Sequence, residues 1–452
     1  MTLSAVVGRA ALLCAVAGFA APVAADELFS PATSPGGVPF WYLQRADALT
    51  TTLLAGFADG FPLAHPDKIG APIVGSVLMR FGPKGSSAGD FDEQLKDVEA
   101  RCGLSAAPMS TTFSVEAKPD DFGDALDLCF GFVTEPALRE ADLDKIRKSA
   151  VAGRERMMES REAIASLVMR RLTQADSPFS KWSEPEAIAA ATPGDIDQWR
   201  REVFARDNLT VVAVGAQDAA AVGALIDKSI GQLPEKSALA PTTPPTPVFP
   251  AKTIVLEKNG DQTAVNMEGY LDLALGEGPI ALVGANVLGG GLDRRLSKAV
   301  RGELGATYGI SAGLGQITPR QRTFSIRTAM SNDLAAAGLK RIHEVYDVWR
   351  RDGVTAEEVE PAREQLANGF DKGAESSSGK AYGLLSLLRG GANAEYEASY
   401  NDRLRRVDVD TVNALLKAKT PAALTTVIVA SKADGLGADC VIHAIEEVDT
   451  CK

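Results

Sequence analysis

The chain is 452 residues long, 45% hydrophobic and 23% charged, with a formal net charge of −12. A single core stops growing near roughly 250–300 residues, so this length implies at least two domains of ordinary globular composition. The acidic balance argues against a nucleic-acid partner, which needs a basic face.

The first 25 residues read as a secretory signal. Arg9 is followed by an apolar run from Ala10 to Ala21, then by Pro22, Val23, Ala24 and Ala25 before Asp26, the pattern of n-region, h-region and cleavage site. The run falls short of the about 20 apolar residues that a span needs. Leu13 before Cys14 is not the small residue that lipid attachment wants, and no later segment is long and apolar enough to span. The expectation is an exported, periplasmic chain cleaved near Ala25, without a membrane partner. Past that point Cys102, Cys129, Cys440 and Cys451 remain. An even number in an oxidising compartment permits the local pairs Cys102–Cys129 and Cys440–Cys451, with buried free thiols as the alternative.

The stretch Gly70–Leu78 is predicted to open a helix. Phe91, Leu95, Val98 and Cys102 then fall on one helical face, Thr111, Phe113, Val115 and Ala117 alternate as a half-buried strand does, and Phe122, Leu126, Cys129, Phe130 and Val133 return to helical spacing. Leu143, Ile146 and Arg147 sit in a helix, Pro193 opens another, and Leu209–Gly215 is β-rich. Five prolines between Pro241 and Pro250 cannot join a helix or a central strand, which makes residues 236–252 a linker between domains at 26–235 and 253–452. The second half repeats the first. A helix runs from Gly278 to Leu288, another carries Val359, Ala362 and Arg363, Val407–Asp410 starts a third, and Leu424–Ala430 is β-rich. The offsets are 283−74 = 209, 359−143 = 216, 409−196 = 213 and 424−209 = 215, near-constant as duplicated domains require. The fold class is α+β: two homologous domains, each an antiparallel sheet with helices packed on one side.

His65, His343 and His443 are the only histidines. None lies near another or near a usable cysteine pair, whereas zinc sites draw on His or Cys ligands at short, regular spacing. The chain therefore cannot build a catalytic zinc site of its own. Gly373–Ala381 has the look of a phosphate loop, but it has one residue too many between its glycines and Ala381 where Ser or Thr should hold magnesium. It reads as a flexible loop before a helix, and its serines have no evident base nearby.

The distinctive stretch is Asn286 to Ala312, with Gly289-Gly290-Gly291, Arg295, Arg301, Gly305 and Tyr308. It resembles the second-domain signature of the pitrilysin/insulinase-type metallopeptidases, which include the mitochondrial processing peptidases and the respiratory core proteins. Weaker matches, such as Asp59–Gly70 and Phe204–Leu209, extend over nearly all of the chain after Asp26. Active members carry His-x-x-Glu-His on the first helix of the first domain, with a distant Glu completing the zinc shell. The resemblance sets Ile73 and Val77 where the two His would stand, Ser76 where the general base would, and Gly153 or Arg154 near the distant Glu. It also sets Arg301 and Tyr308 at the positions whose side chains reach across to the first domain's zinc site and hold the substrate backbone and its developing oxyanion; a solvated helix residue and a strand packing residue are the plainer reading.

The resemblance implies half of a clamshell: a non-catalytic subunit that binds no cofactor itself, paired in a heterodimer with a homologous zinc-bearing subunit. Arg301 and Tyr308 would complete the partner's site, and the substrate would be an unfolded peptide added as a strand to a sheet edge. The alternatives are a structural or assembly subunit without a peptidase role, and a homodimer that holds peptides without cutting them.

Overall fold

The computed structural model describes residues 28–451 apart from 183, 244 and 317–320; the signal segment at 1–25 lies outside the described residues. Two six-stranded sheets dominate it. The first is built from β1 (Ser30–Thr33), β2 (Pro39–Gln44), β3 (Thr51–Ala58), β4 (Arg101–Ala107), β5 (Ser110–Ala117) and β6 (Leu209–Gly215). The second comprises β7 (Thr253–Glu257), β8 (Gln262–Asp272), β9 (Thr307–Gln316), β10 (Gln321–Ser331), β11 (Thr425–Ala430) and β12 (Cys440–Ile442). Residues 233–252, between the two sheets, carry neither helix nor strand among the described positions.

The duplication is visible in the strand order. Without its outermost strand, the first sheet reads β2-β6-β3-β5-β4 and the second β7-β11-β8-β10-β9. The strand that closes each half inserts beside the strand that opens it. There the pairing is parallel, β2 with β6 and β7 with β11, while the remaining strands of this shared set pair antiparallel. The α+β class therefore holds, with sheets that are mixed rather than wholly antiparallel. The parallel pairs arise because each half returns its last strand to its own first edge after a run of helices.

One face of each sheet carries the expected helical layer. Phe113, Val115, Phe57 and Leu53 of the first sheet meet Val74, Phe130, Trp199 and their neighbours in one core. Phe324, Ile326 and Met267 of the second meet Val283, Trp349 and Leu416 in another.

The opposite faces are covered too, and by the other half. Helix Ser377–Arg389 of the second half sets Ala381, Leu384 and Leu385 against Leu43, Leu54, Val212 and Val214 of the first sheet. Helix Arg161–Thr173 of the first half sets Ile164, Ala165 and Val168 against Ile254, Ala264, Val427 and Val429 of the second sheet. Both helices start the same way: Ser160 accepts from Ala163 N at 3.2 Å and Ser376 from Gly379 N at 3.0 Å, each satisfying one free amide of the first turn. The loop expected at Gly373–Ala381 thus shrinks to a short joint capped by Ser376. Sheet centres closed on both faces explain why Thr51–Ala58 and Thr425–Ala430 read as unbroken runs without alternation.

One local expectation fails. Cys102 does not continue the helical face of Phe91 and Leu95, because that helix ends at Asp97 and Cys102 lies on β4. Glu99, at φ 44°, is the residue that breaks it; an apolar side chain four residues past Val98 continued the helical spacing by coincidence. Cys102 is disulfide-bonded to Cys129, tying β4 to the helix Phe122–Thr134, and Cys440 is bonded to Cys451.

Candidate functional site

The helix Gly70–Leu78 packs on β4, an edge strand, and against the helices Glu140–Met157, Pro185–Ala190 and Pro193–Val203. The approach to Pro185–Ala190 is very close. A Cβ at Gly70 would stand 1.9 Å from the carbonyl oxygen of Ala187, so only glycine fits there. Ile73 and Val77 are half-buried on this helix and Ser76 is buried. The Ser76 hydroxyl donates to the Ile73 carbonyl at 2.9 Å, so it is engaged by its own helix. Two aliphatic chains and an occupied hydroxyl offer no zinc ligand. Arg154, near the position of the distant Glu, is ion-paired with the buried Glu184 at 3.0 Å. His65 lies before the helix with Nε2 2.8 Å from a Glu202 carboxylate oxygen and its ring 4.5 Å from that of Phe61. Among the described residues no group of three or more His, Cys, Asp or Glu is placed to hold a metal ion.

In the second half the helix Gly278–Gly289 packs on β9 as Gly70–Leu78 does on β4. The chain then runs through Ser297–Glu303, a stretch of π-helix; such wide turns recur at functional sites. Its end is tied to the next strand. The Arg301 carbonyl accepts from Gly305 N at 3.2 Å and the Val300 carbonyl from Ala306 N at 3.0 Å. Gly305, at φ 67°, makes the left-handed turn that lets β9 begin two residues later.

Tyr308 sits at a bulge. Thr307 pairs with Met330 and Ile310 with Thr328, which leaves Tyr308 and Gly309 opposite Ala329 alone. Hydroxyls pin it: Thr307 Oγ1 donates to the Ala329 carbonyl at 2.6 Å and Thr328 Oγ1 to the Gly309 carbonyl at 2.9 Å. Bulges of this kind re-aim a side chain, and Tyr308 is 90% exposed on an edge strand.

The arginines of this stretch differ in what they touch. Arg295 forks onto both oxygens of Glu358, at 2.6 Å each. Arg294 is buried and donates to Gln365 at 2.8 Å. Arg301 is exposed and its side chain, like that of Tyr308, has no hydrogen-bond or ion-pair partner among the described residues. The structure thus places Arg301 and Tyr308 on one short, braced joint of the second half, and Ile73, Ser76 and Val77 on the matching helix of the first.

A cavity of about 700 Å³ lies elsewhere, between the two crossing helices, and none of these five residues lines it. Its polar groups, Arg170 and Arg389 among them, come from distant parts of the chain, and no motif or spacing announces them.

Residues 190–366, which include Arg301 and Tyr308, match the family model described as the peptidase M16 inactive domain. That match to the M16 peptidase family covers less than half of the chain. The match runs from the last helices of the first half, through the linker, to the helix Ala356–Ala374. In fold the whole chain resembles a peptidase M16 inactive domain from Pseudomonas fluorescens, with a TM-score of 0.81 at 19% identity over 92% of this chain and 98% of that one. It also resembles a protease from Helicobacter pylori, with a TM-score of 0.78 at 17% identity over 89% and 99%. A third likeness is to the periplasmic protease PqqL of Escherichia coli, with a TM-score of 0.76 at 16% identity over 96% of this chain and 49% of that one. At these identities the likeness is one of fold. No curated protein matches this chain in sequence.

Proposed function

We propose that this chain is the non-catalytic subunit of a two-chain M16-type zinc peptidase, and that it lends Arg301 and Tyr308 to the zinc site of a partner bearing His-x-x-Glu-His. One observation carries the reading. A large aromatic at 90% exposure and an unpartnered arginine are held on a braced joint at a sheet edge. A packing tyrosine would be buried, and a residue that only solvates a helix needs no such bracing. Guanidinium and phenol are both donors. Donors aimed at a forming oxyanion stabilise the transition state by about 3–4 kcal/mol each. The partner's zinc would supply the activated water, and this chain would hold the peptide backbone and the charge that develops on it. The edge strand β9 is suited to accept an extended peptide as an added strand. Two disulfides agree with an exported, periplasmic setting.

The test is reconstitution with the zinc-bearing partner. Arg301→Ala and Tyr308→Phe should each lower kcat by about 100–1000-fold while leaving the thermal midpoint of this chain unchanged. Unaltered kcat in both would remove the complementing role and leave a structural subunit. Chelator-sensitive hydrolysis by this chain alone would overturn the reading from the other side.

A further inference from the structure

The cavity of about 700 Å³ opens where the two cross-seated helices pass, a size within the roughly 300–1,000 Å³ of small-ligand sites. Arg170 and Ser386, Met169 and Leu385, and Thr173 and Arg389 all line it. Each pair is separated by the same offset (386−170 = 385−169 = 389−173 = 216), so the walls are one face of the duplicated helix seen twice. The side chains have diverged. Arginine stands against serine in one pair and threonine against arginine in the other, so that each half contributes one guanidinium.

Neither of these two cations is directly ion-paired with a carboxylate among the described residues. Arg327 also reaches the cavity, but it is bound to Glu268 at 2.8 Å and Asn266 at 3.2 Å. Arg389 donates to neutral acceptors, the Thr111 carbonyl at 3.2 Å and the Thr112 hydroxyl at 2.9 Å. The Arg170 side chain has no hydrogen-bond or ion-pair partner among the described residues, and its Nε is buried. The nearby carboxylate of Glu184 is already held by Arg154 at 3.0 Å and Arg171 at 3.4 Å. Burial pushes the Arg170 guanidinium below its ordinary pKa, against the opposing pull of Glu184. A half-buried guanidinium without a direct ion-pair partner is unfavourable unless something supplies the anion. The rest of the wall is mixed: Phe179, Trp182 and Met109 form an apolar part, beside polar Gln174, Thr323 and Glu268, the last with its carboxylate held by Arg327 at 2.8 Å.

We propose that this cavity binds the carboxylate of a short peptide, with the anion between Arg170 and Arg389 and an apolar side chain against Phe179 and Trp182. The planar guanidinium fork matches a carboxylate, and the apolar part of the wall suits a peptide side chain better than a free inorganic anion. The site lies wholly within this chain. It goes beyond the complementing role and stands without a partner.

The purified full chain is titrated with three probes: N-acetyl-Leu-Phe as the free acid, the same peptide as its C-terminal amide, and N-acetyl-Phe-Glu amide. Binding of the free acid assigns the carboxylate to a chain terminus; binding of the glutamyl amide assigns it to a side chain. Binding of neither at millimolar concentration, or equal binding of the uncharged amide, overturns the proposal. Arg170→Gln removes no hydrogen bond of the fold, so it should weaken the acid by about 30-fold or more, as loss of a buried charge partner does, with an unchanged or higher thermal midpoint. Undiminished affinity in Arg170→Gln, or displacement by an equal concentration of inorganic phosphate, also overturns it. The purified chain bears on this site alone, so failure here leaves the Arg301 and Tyr308 reading untouched.

Discussion

Asp59 is 1% exposed and accepts three hydrogen bonds, from Phe61 N at 3.0 Å, Thr111 Oγ1 at 2.8 Å and Trp199 Nε1 at 2.9 Å. Burial pushes its pKa up against the pull of those three donors. Asp59→Ala leaves a buried indole and a buried amide unsatisfied, which should cost about 3 kcal/mol in urea unfolding; a loss under about 1 kcal/mol would show that the carboxylate does not organise this corner. An acid whose pKa is raised by folding holds its proton more tightly when folded. Its contribution is therefore full below the unfolded value of about 4 and declines as the pH rises through the folded one. The penalty of Asp59→Ala should accordingly be larger in mild acid than at neutral pH. Arg301 and Tyr308 are the opposite case, polar groups that the fold exposes and does not pair. The sequence singles them out only through the resemblance of Asn286–Ala312 to a family signature. Asp59 was legible only as part of a weak match, and Arg170 not at all, since its significance depends on Arg389, far along the chain.

The helices were legible where local signals were clean: Phe122–Thr134 lies where its apolar spacing sets it, and Pro193–Val203 and Gly278–Gly289 begin where the sequence is read to open a helix. Periodicity misled at Cys102, where one left-handed residue ended a helix that the spacing alone would have continued. What spacing says nothing about is which surface a helical face meets. Leu384 is fully buried, yet it packs on the sheet of the first half rather than its own. Leu384→Ala should therefore cost about 2–5 kcal/mol, the range for a core leucine. A change under about 1 kcal/mol, as at a surface position, would mean that this helix does not seal the first sheet.

Two halves joined by a proline-rich segment would ordinarily be free to move as separate units. Here each sheet has one face that the other half helps to cover, through Ile164 and Val168 in one direction and Leu384 and Leu385 in the other. Separation would expose both apolar faces at once, so the chain should unfold in a single calorimetric transition, and proteolytic nicking within 236–252 should leave the halves associated. Two resolved transitions, or halves that part after nicking, would contradict the cross-seating.

The sequence by itself determined the repeated pattern and the want of zinc-ligand spacing, because each is a matter of residue type at short or repeated spacing, and it offered Arg301 and Tyr308 only through a family resemblance. The tertiary structure alone decided that Arg301 and Tyr308 are displayed, that Ser76 is engaged by its own helix, that the halves exchange helices, and that Arg170 and Arg389 share a cavity. Those outcomes depend on which surfaces meet. An apolar stripe states that a face must be covered; what covers it is settled only when the whole chain closes.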